Sequence, residues 1–117
     1  MRGTRAWVVA GIGALALLVA RLRLFPVRVE GESMAPALHA GDMLAVASGL
    51  RPRVGDVVVV RARGIEMVKR VASLRDGNLR LEGDNRAAST DVPAGASDVA
   101  GVVVLRYRPR VSLLRRV

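Results

Sequence analysis

Among the side chains able to act as a nucleophile or its base, Ser33, His39 and Lys69 stand in the most telling surroundings. Ser33 lies in Gly31-Glu32-Ser33-Met34-Ala35-Pro36, where a glycine and a proline redirect the backbone sharply after an extended segment and so present a hydroxyl. A serine in such a stretch is ordinarily a turn former, and it becomes a nucleophile only beside a base. The single histidine, His39, follows six residues later in the HAGD turn, with no obvious orienting carboxylate. Lys69 is the other candidate. Arginine keeps its proton in proteins, whereas lysine, with an ordinary pKa of about 10.4, is driven toward neutrality by burial. Lys69 is the only lysine beside eighteen arginines, and it sits in the apolar stretch MVKRV. An exposed strand lysine is the plainer reading of that position, but a chain that otherwise places arginine at its cationic positions makes it an uncomfortable one.

Composition narrows the field further. The chain has 117 residues, enough for one domain of ordinary size. It has no cysteine, which excludes a disulfide framework, a thiol nucleophile and the usual structural zinc sites. No metal and no cofactor is expected. The formal net charge of +9 comes almost wholly from arginine and reads as codon bias more than as a selected basic patch. Three scattered aromatic residues, Trp7, Phe25 and Tyr107, do not make a base-stacking platform, so nucleic acid is not an expected partner.

The elements that must position these side chains read as short strands. VRVE (27–30), MLAVA (43–47), VVVVRA (57–62), EMVKRVA (66–72), LRLE (79–82) and VVVLRY (102–107) are β-branched or alternating. HAGD (39–42), RPRVGD (51–56), ARG (62–64), RDGN (75–78) and PAG (93–95) separate them as turns. No sustained helical period follows Pro26. The basic, half-apolar tail RPRVSLLRRV reads as a final strand with a frayed end.

Ahead of the strands, residues 6–20 (AWVVAGIGALALLVA) form an uncharged apolar run flanked by Arg2 and Arg5 on one side and Arg21 and Arg23 on the other. Fifteen residues are fewer than the about 20 that a membrane-spanning helix needs, but the run reaches Pro26 if Arg21 and Arg23 snorkel to the headgroups. An uncleaved anchor is favoured over a cleaved secretory signal because no small-x-small site with a polar start follows Ala20. The expected organisation is therefore an anchor segment with basic flanks over residues 1–26 and a mostly β catalytic domain over 27–117. The flanking arginines leave the orientation across the bilayer nearly tied.

GESMAPAL resembles the serine box of type I signal peptidases, and AGDMLAV and VGDVVVVR resemble the two strand motifs that follow it. MVKRV resembles the lysine box and EGDNRAASTD the glycine-aspartate-asparagine box. These motifs occur in the family's order and cover residues 27–107. The resemblance implies a membrane-anchored serine endopeptidase with a Ser-Lys dyad and a small, mostly β catalytic core. It implies Ser33 as nucleophile, Lys69 as general base, Ser89 as the hydroxyl that orients the lysine amine, and the Ser33 N–H as an oxyanion donor. Gly31, Pro36, Gly83, Asp84, Asn85 and Asp91 would shape the site, with Asp84 and Asn85 organising their turn and Asp84 capping backbone donors.

The chain departs from the family pattern in three places. Many relatives carry a side-chain oxyanion donor two residues before the nucleophile, where this chain has Gly31. The usual aspartate-serine-arginine run is Asp91-Val92-Pro93 here, so Asp91 must find another partner or solvent. The large inserted β domain of longer relatives is absent from the sequence.

By analogy, the extended leader peptide of a preprotein would add as a strand between the segment ending at Glu32 and the one carrying Lys69. Met34 and Ile65 are pocket candidates, although core packing is the readier role for both. The resemblance implies a single-pass protein of a bacterial plasma membrane. Two other readings stand beside it. The short length and the ending VVVLRYRPR are similar to small actinobacterial maturation peptidases that trim nickel-type superoxide dismutase, and an inactive, membrane-tethered, peptide-binding β module is the non-enzymatic alternative.

Overall fold

The structure, a computed structural model, describes residues 10–14, 16, 17, 23–88 and 91–115. Its centre is explained by four consecutive valines. Val57, Val58, Val59 and Val60 are all buried, because alternate side chains of one strand enter two different apolar clusters. Val57 and Val59 pack with Val27, Val29, Met34, Leu38, Leu44, Val46 and Val103. Val58 and Val60 pack with Val71, Leu79, Leu81 and Val102. Full burial of each such side chain contributes about 1.5–3 kcal/mol, so this strand holds both halves of the core together.

Eight strands occur among the described residues: β1 (Leu24–Arg28), β2 (Met43–Ala47), β3 (Val57–Ala62), β4 (Ile65–Arg75), β5 (Asn78–Glu82), β6 (Val92–Gly95), β7 (Val99–Arg108) and β8 (Ser112–Leu113). They form one sheet in the order β1-β2-β7-β3-β4-β5-β6, with β8 on β7 and every pairing antiparallel. Two tight hairpins fix the middle of this order. Ala62 pairs with Ile65 across Arg63 and Gly64, and Arg75 pairs with Asn78 across Asp76 and Gly77. All four loop residues have positive φ, as two-residue hairpin loops that match the strand twist require. Gly101 answers a different need. A Cβ there would lie 2.6 Å from Val46 Cγ1 and 2.9 Å from the Ala47 carbonyl oxygen, so β7 lies this close to β2 only with glycine.

The strands at 43–47 and 57–62 have the limits read from the sequence, and the tail supplies β8. Three expectations need correction. Leu24, Phe25 and Pro26 open β1 instead of continuing an apolar helix, with Pro26 on the outermost strand, where a missing N–H costs least. Pro93-Ala94-Gly95 is not a turn but part of β6, which pairs with β5. Ile65 is 59 % exposed and packs in no core, whereas Met34 is buried as expected.

Residues 10–14, 16 and 17 are helical, and the rest of the expected anchor run, 6–9, 15 and 18–20, lies outside the described residues. Among the described residues no helix is long and apolar enough to cross a membrane.

Candidate active site

The segment between β1 and β2 carries Ser33, and it is tied down at its base and along its length. Val29 N–H donates to the Asp42 carbonyl at 2.9 Å and Gly41 N–H to the Val29 carbonyl at 2.8 Å, which closes the excursion. Met34 and Leu38 then bury their side chains in the first cluster. The Asp42 carboxylate accepts from His39 N–H at 2.9 Å and lies 3.4 Å from Arg106 Nη1. Gly31 has φ +74, a conformation costly for a residue with a Cβ, and it redirects the chain two residues before Ser33. Pro36 is exposed two residues beyond the buried Met34.

Lys69 comes from β4, opposite Val58 in the pairing with β3 and one alternation from Val71, both members of the second cluster. It is 7 % exposed, the one buried cation among the described residues. Burial lowers its pKa below the ordinary lysine range, while the negative charge of Asp91 opposes that shift. Ser33 and Lys69 both line a cleft of about 440 Å³ whose other walls are Arg28, Glu30, Glu66, Met67 and Val68. The cleft runs between two backbone edges. β1 is the end of the sheet, and among the described residues β5 pairs with β4 only from Arg70 onward, while the β4 stretch 65–69 pairs with β3.

Residues 83–85 bracket the two sides. The Arg70 guanidinium, next to Lys69 in β4, binds the Asp84 carboxylate through two bonds of 2.7 Å and donates to the Gly55 carbonyl at 2.8 Å. Hydrogen bonding to Asp84 raises the Arg70 pKa further, so the guanidinium keeps its proton. Asn85 reaches the other way. Its N–H donates to the Ser33 carbonyl at 2.8 Å and its Nδ2 to the Glu32 carbonyl at 3.1 Å. One turn thus ties the strand of the base to the bend of the nucleophile, with Gly83 buried at its start.

Several sequence expectations change here. Among the described residues the Asp84 carboxylate bonds to Arg70 and not to backbone donors. Asp91 has found a partner upstream, Arg86, whose Nη1 lies 2.9 Å from its Oδ1. His39 does have a carboxylate neighbour, Glu32 Oε2 at 3.3 Å from Nδ1, but both side chains are more than half exposed and neither lines the cleft. Ser89 lies outside the described residues. The sequence reading also passed over Arg28, Glu30, Glu66 and Arg86. For the first two a signal existed, since Arg28 and Glu30 alternate with Val27 and Val29, which are buried, and are themselves exposed at and just after the end of β1. No group of three or more potential metal ligands occurs among the described residues.

The arrangement offers a hydroxyl and a partly desolvated amine on one cleft with open strand edges. Such a cleft can receive extended backbone. The sequence model of one family, Peptidase S24-like, matches residues 9–104, which include Ser33, Lys69 and every strand from β1 to β6. No curated protein matches the chain.

Proposed function

This chain belongs to the Peptidase S24-like family, in the same clan as the signal peptidase I-like serine peptidases, and from that premise we propose that it is an endopeptidase that removes amino-terminal leader or signal peptides from preproteins. The observation that carries the reading is that Ser33 and the chain's single lysine, far apart in sequence, line one cleft, with the lysine pKa lowered by burial. In this reading the substrate enters as an extended strand between the segment after β1 and the open edge of β4, held by main-chain hydrogen bonds.

The neutral Lys69 amine takes the proton as Ser33 Oγ attacks the scissile carbonyl carbon. The tetrahedral oxyanion is met by the Ser33 N–H, Gly31 supplying no side-chain donor. Collapse breaks the C–N bond, and the Lys69 ammonium returns its proton to the leaving amine. Water, deprotonated by the same amine, then attacks the acyl carbon; the bond from that carbon to Ser33 Oγ breaks and the Lys69 ammonium returns the proton to Oγ. Ser89 is assigned to orient the amine on the resemblance alone, and the anchoring of the domain by the segment before β1 rests on the apolar run of the sequence.

The test is incubation of the purified full-length protein with synthetic leader peptides, followed by mass analysis. Cleavage at one internal bond supports the reading; binding without cleavage under alkaline conditions turns it toward a peptide-binding module.

A further inference from the structure

Basic residues number 19 and acidic ones 10, so cations outnumber the carboxylates that could bind them. Among the described residues every carboxylate except Glu30 and Asp76 takes part in a hydrogen bond or an ion pair. Asp76 sits in the tight hairpin between β4 and β5, where its φ of +51 is one that aspartate tolerates, and it does not line the cleft. Glu30 does line it, together with Ser33 and Lys69. We propose that Glu30 is a specificity-determining residue of this site: it selects leader peptides that place a basic side chain, arginine or lysine, close to the scissile bond. The inference rests on the reading of this cleft as the place of cleavage and names the substrate class that the cleft takes.

The position of Glu30 decides which part of a substrate it meets. Arg28 and Glu30 alternate with Val27 and Val29, which are buried in the first cluster, and Val29 N–H keeps the segment beside the β2 end by donating to the Asp42 carbonyl at 2.9 Å. Both charged residues line the cleft from this outermost strand and its continuation. Glu30 precedes Ser33 by three residues, which span at most about 10 Å, and an extended substrate advances about 3.3 Å per residue. The side chain that it reads therefore lies within about three positions of the scissile bond. The other charges on the cleft sharpen the choice. Glu66, on the β4 side, is already bound to Arg61 at 2.7 Å, so its charge is offset. Arg28, further from Ser33 along the same strand, repels a basic side chain and so favours one beside Glu30. Glu30 is exposed, so water and salt screen the contact, and a basic side chain is expected to raise kcat/KM about 2- to 5-fold over a neutral one.

The test uses full-length protein and one synthetic leader peptide, made with arginine, glutamine or glutamate in turn at each position up to about three residues on either side of the scissile bond. The ratio of kcat/KM between peptide forms is compared within each protein variant, so a partly impaired variant still gives an answer. The wild type is expected to favour arginine over glutamine at one position, and added salt should shrink that preference. Glu30→Gln should abolish it, and Glu30→Lys should invert it in favour of glutamate. Asp76→Asn removes an equal charge outside the cleft and should keep the wild-type ratio. Equal rates for arginine and glutamine at every position overturn the proposal, as does a preference that survives Glu30→Lys or that Asp76→Asn loses equally. Should Glu30→Lys not fold, a preference that survives Glu30→Gln overturns it instead. If no peptide is cut, the cleavage reading itself has failed, and the same comparisons are read as peptide affinities. An arginine preference that depends on Glu30 then still supports the charge selection, and equal affinities overturn it.

Discussion

At the scale of single residues, the burial of Lys69 has a consequence for stability as well as for chemistry. Its folded-state pKa is lowered, so between that value and the ordinary lysine pKa the unfolded chain binds more protons than the folded one. Stability therefore rises with pH across this window, and at neutral pH the buried charge is a cost. Lys69→Met, of similar length and without charge, is expected to resist urea better than the wild type at pH 7 and to lose the alkaline rise; a pH series of urea denaturation checks both. Asn85→Ala leaves its backbone bond to Ser33 but removes the bond from Nδ2 to the Glu32 carbonyl. A small displacement of the nucleophile follows, and turnover should fall by up to roughly a hundredfold with peptide affinity nearly unchanged, as read by single-turnover kinetics. Of these residues, the sequence exposed Ser33 and Lys69, because a lone lysine in an arginine-rich chain and a serine between glycine and proline are visible as letters. The Arg70-Asp84 bond and the Arg86-Asp91 pair were not visible. Each joins an arginine to one of several carboxylates, and only the folded register decides which.

At the scale of elements, the strand motifs were legible where local chemistry dictated them. The valine run of β3 and the Asp76-Gly77 hairpin needed no tertiary information beyond burial and a positive φ. β6 was hidden because Pro93, Ala94 and Gly95 have poor strand propensity, and its pairing with β5 overrides that preference. β1 was displaced toward the amino terminus because Leu24 and Phe25 look alike as the end of an apolar helix or as an edge strand. The tight packing of Gly101 against β2 gives a sharp prediction. Gly101→Ala places a methyl 2.6 Å from Val46 Cγ1 and 2.9 Å from a backbone oxygen, so β7 and β2 must separate. A loss of about 1–3 kcal/mol is expected from chemical denaturation. The site should weaken only in proportion to the unfolded fraction, because Gly101 does not line the cleft.

At the scale of the whole molecule, the sheet brings together two segments that the sequence separates, and the turn at 83–85 locks them. Asp56 and Asp42, the other buried charged residues among those described, bind Arg115 and Arg106, and Lys69 lines the cleft. The anchoring proposed for the segment before β1 has its own check. If its roughly 20 mostly apolar residues lie in a bilayer, full-length protein stays with membranes through a carbonate or high-salt wash, because burial of apolar surface does not depend on ionic strength. Release by salt alone means that arginine charge holds it there. The activity itself should rise toward alkaline pH as the Lys69 amine loses its proton, with no requirement for added metal. The most direct measurement of the central claim is the single-turnover cleavage of one leader peptide by the wild type, Ser33→Ala and Lys69→Arg, each shown to be folded. Cleavage by the wild type and none by either variant is expected, since one lacks the nucleophile and the other keeps the charge but cannot accept the proton. Cleavage by Lys69→Arg at a rate comparable to the wild type contradicts it.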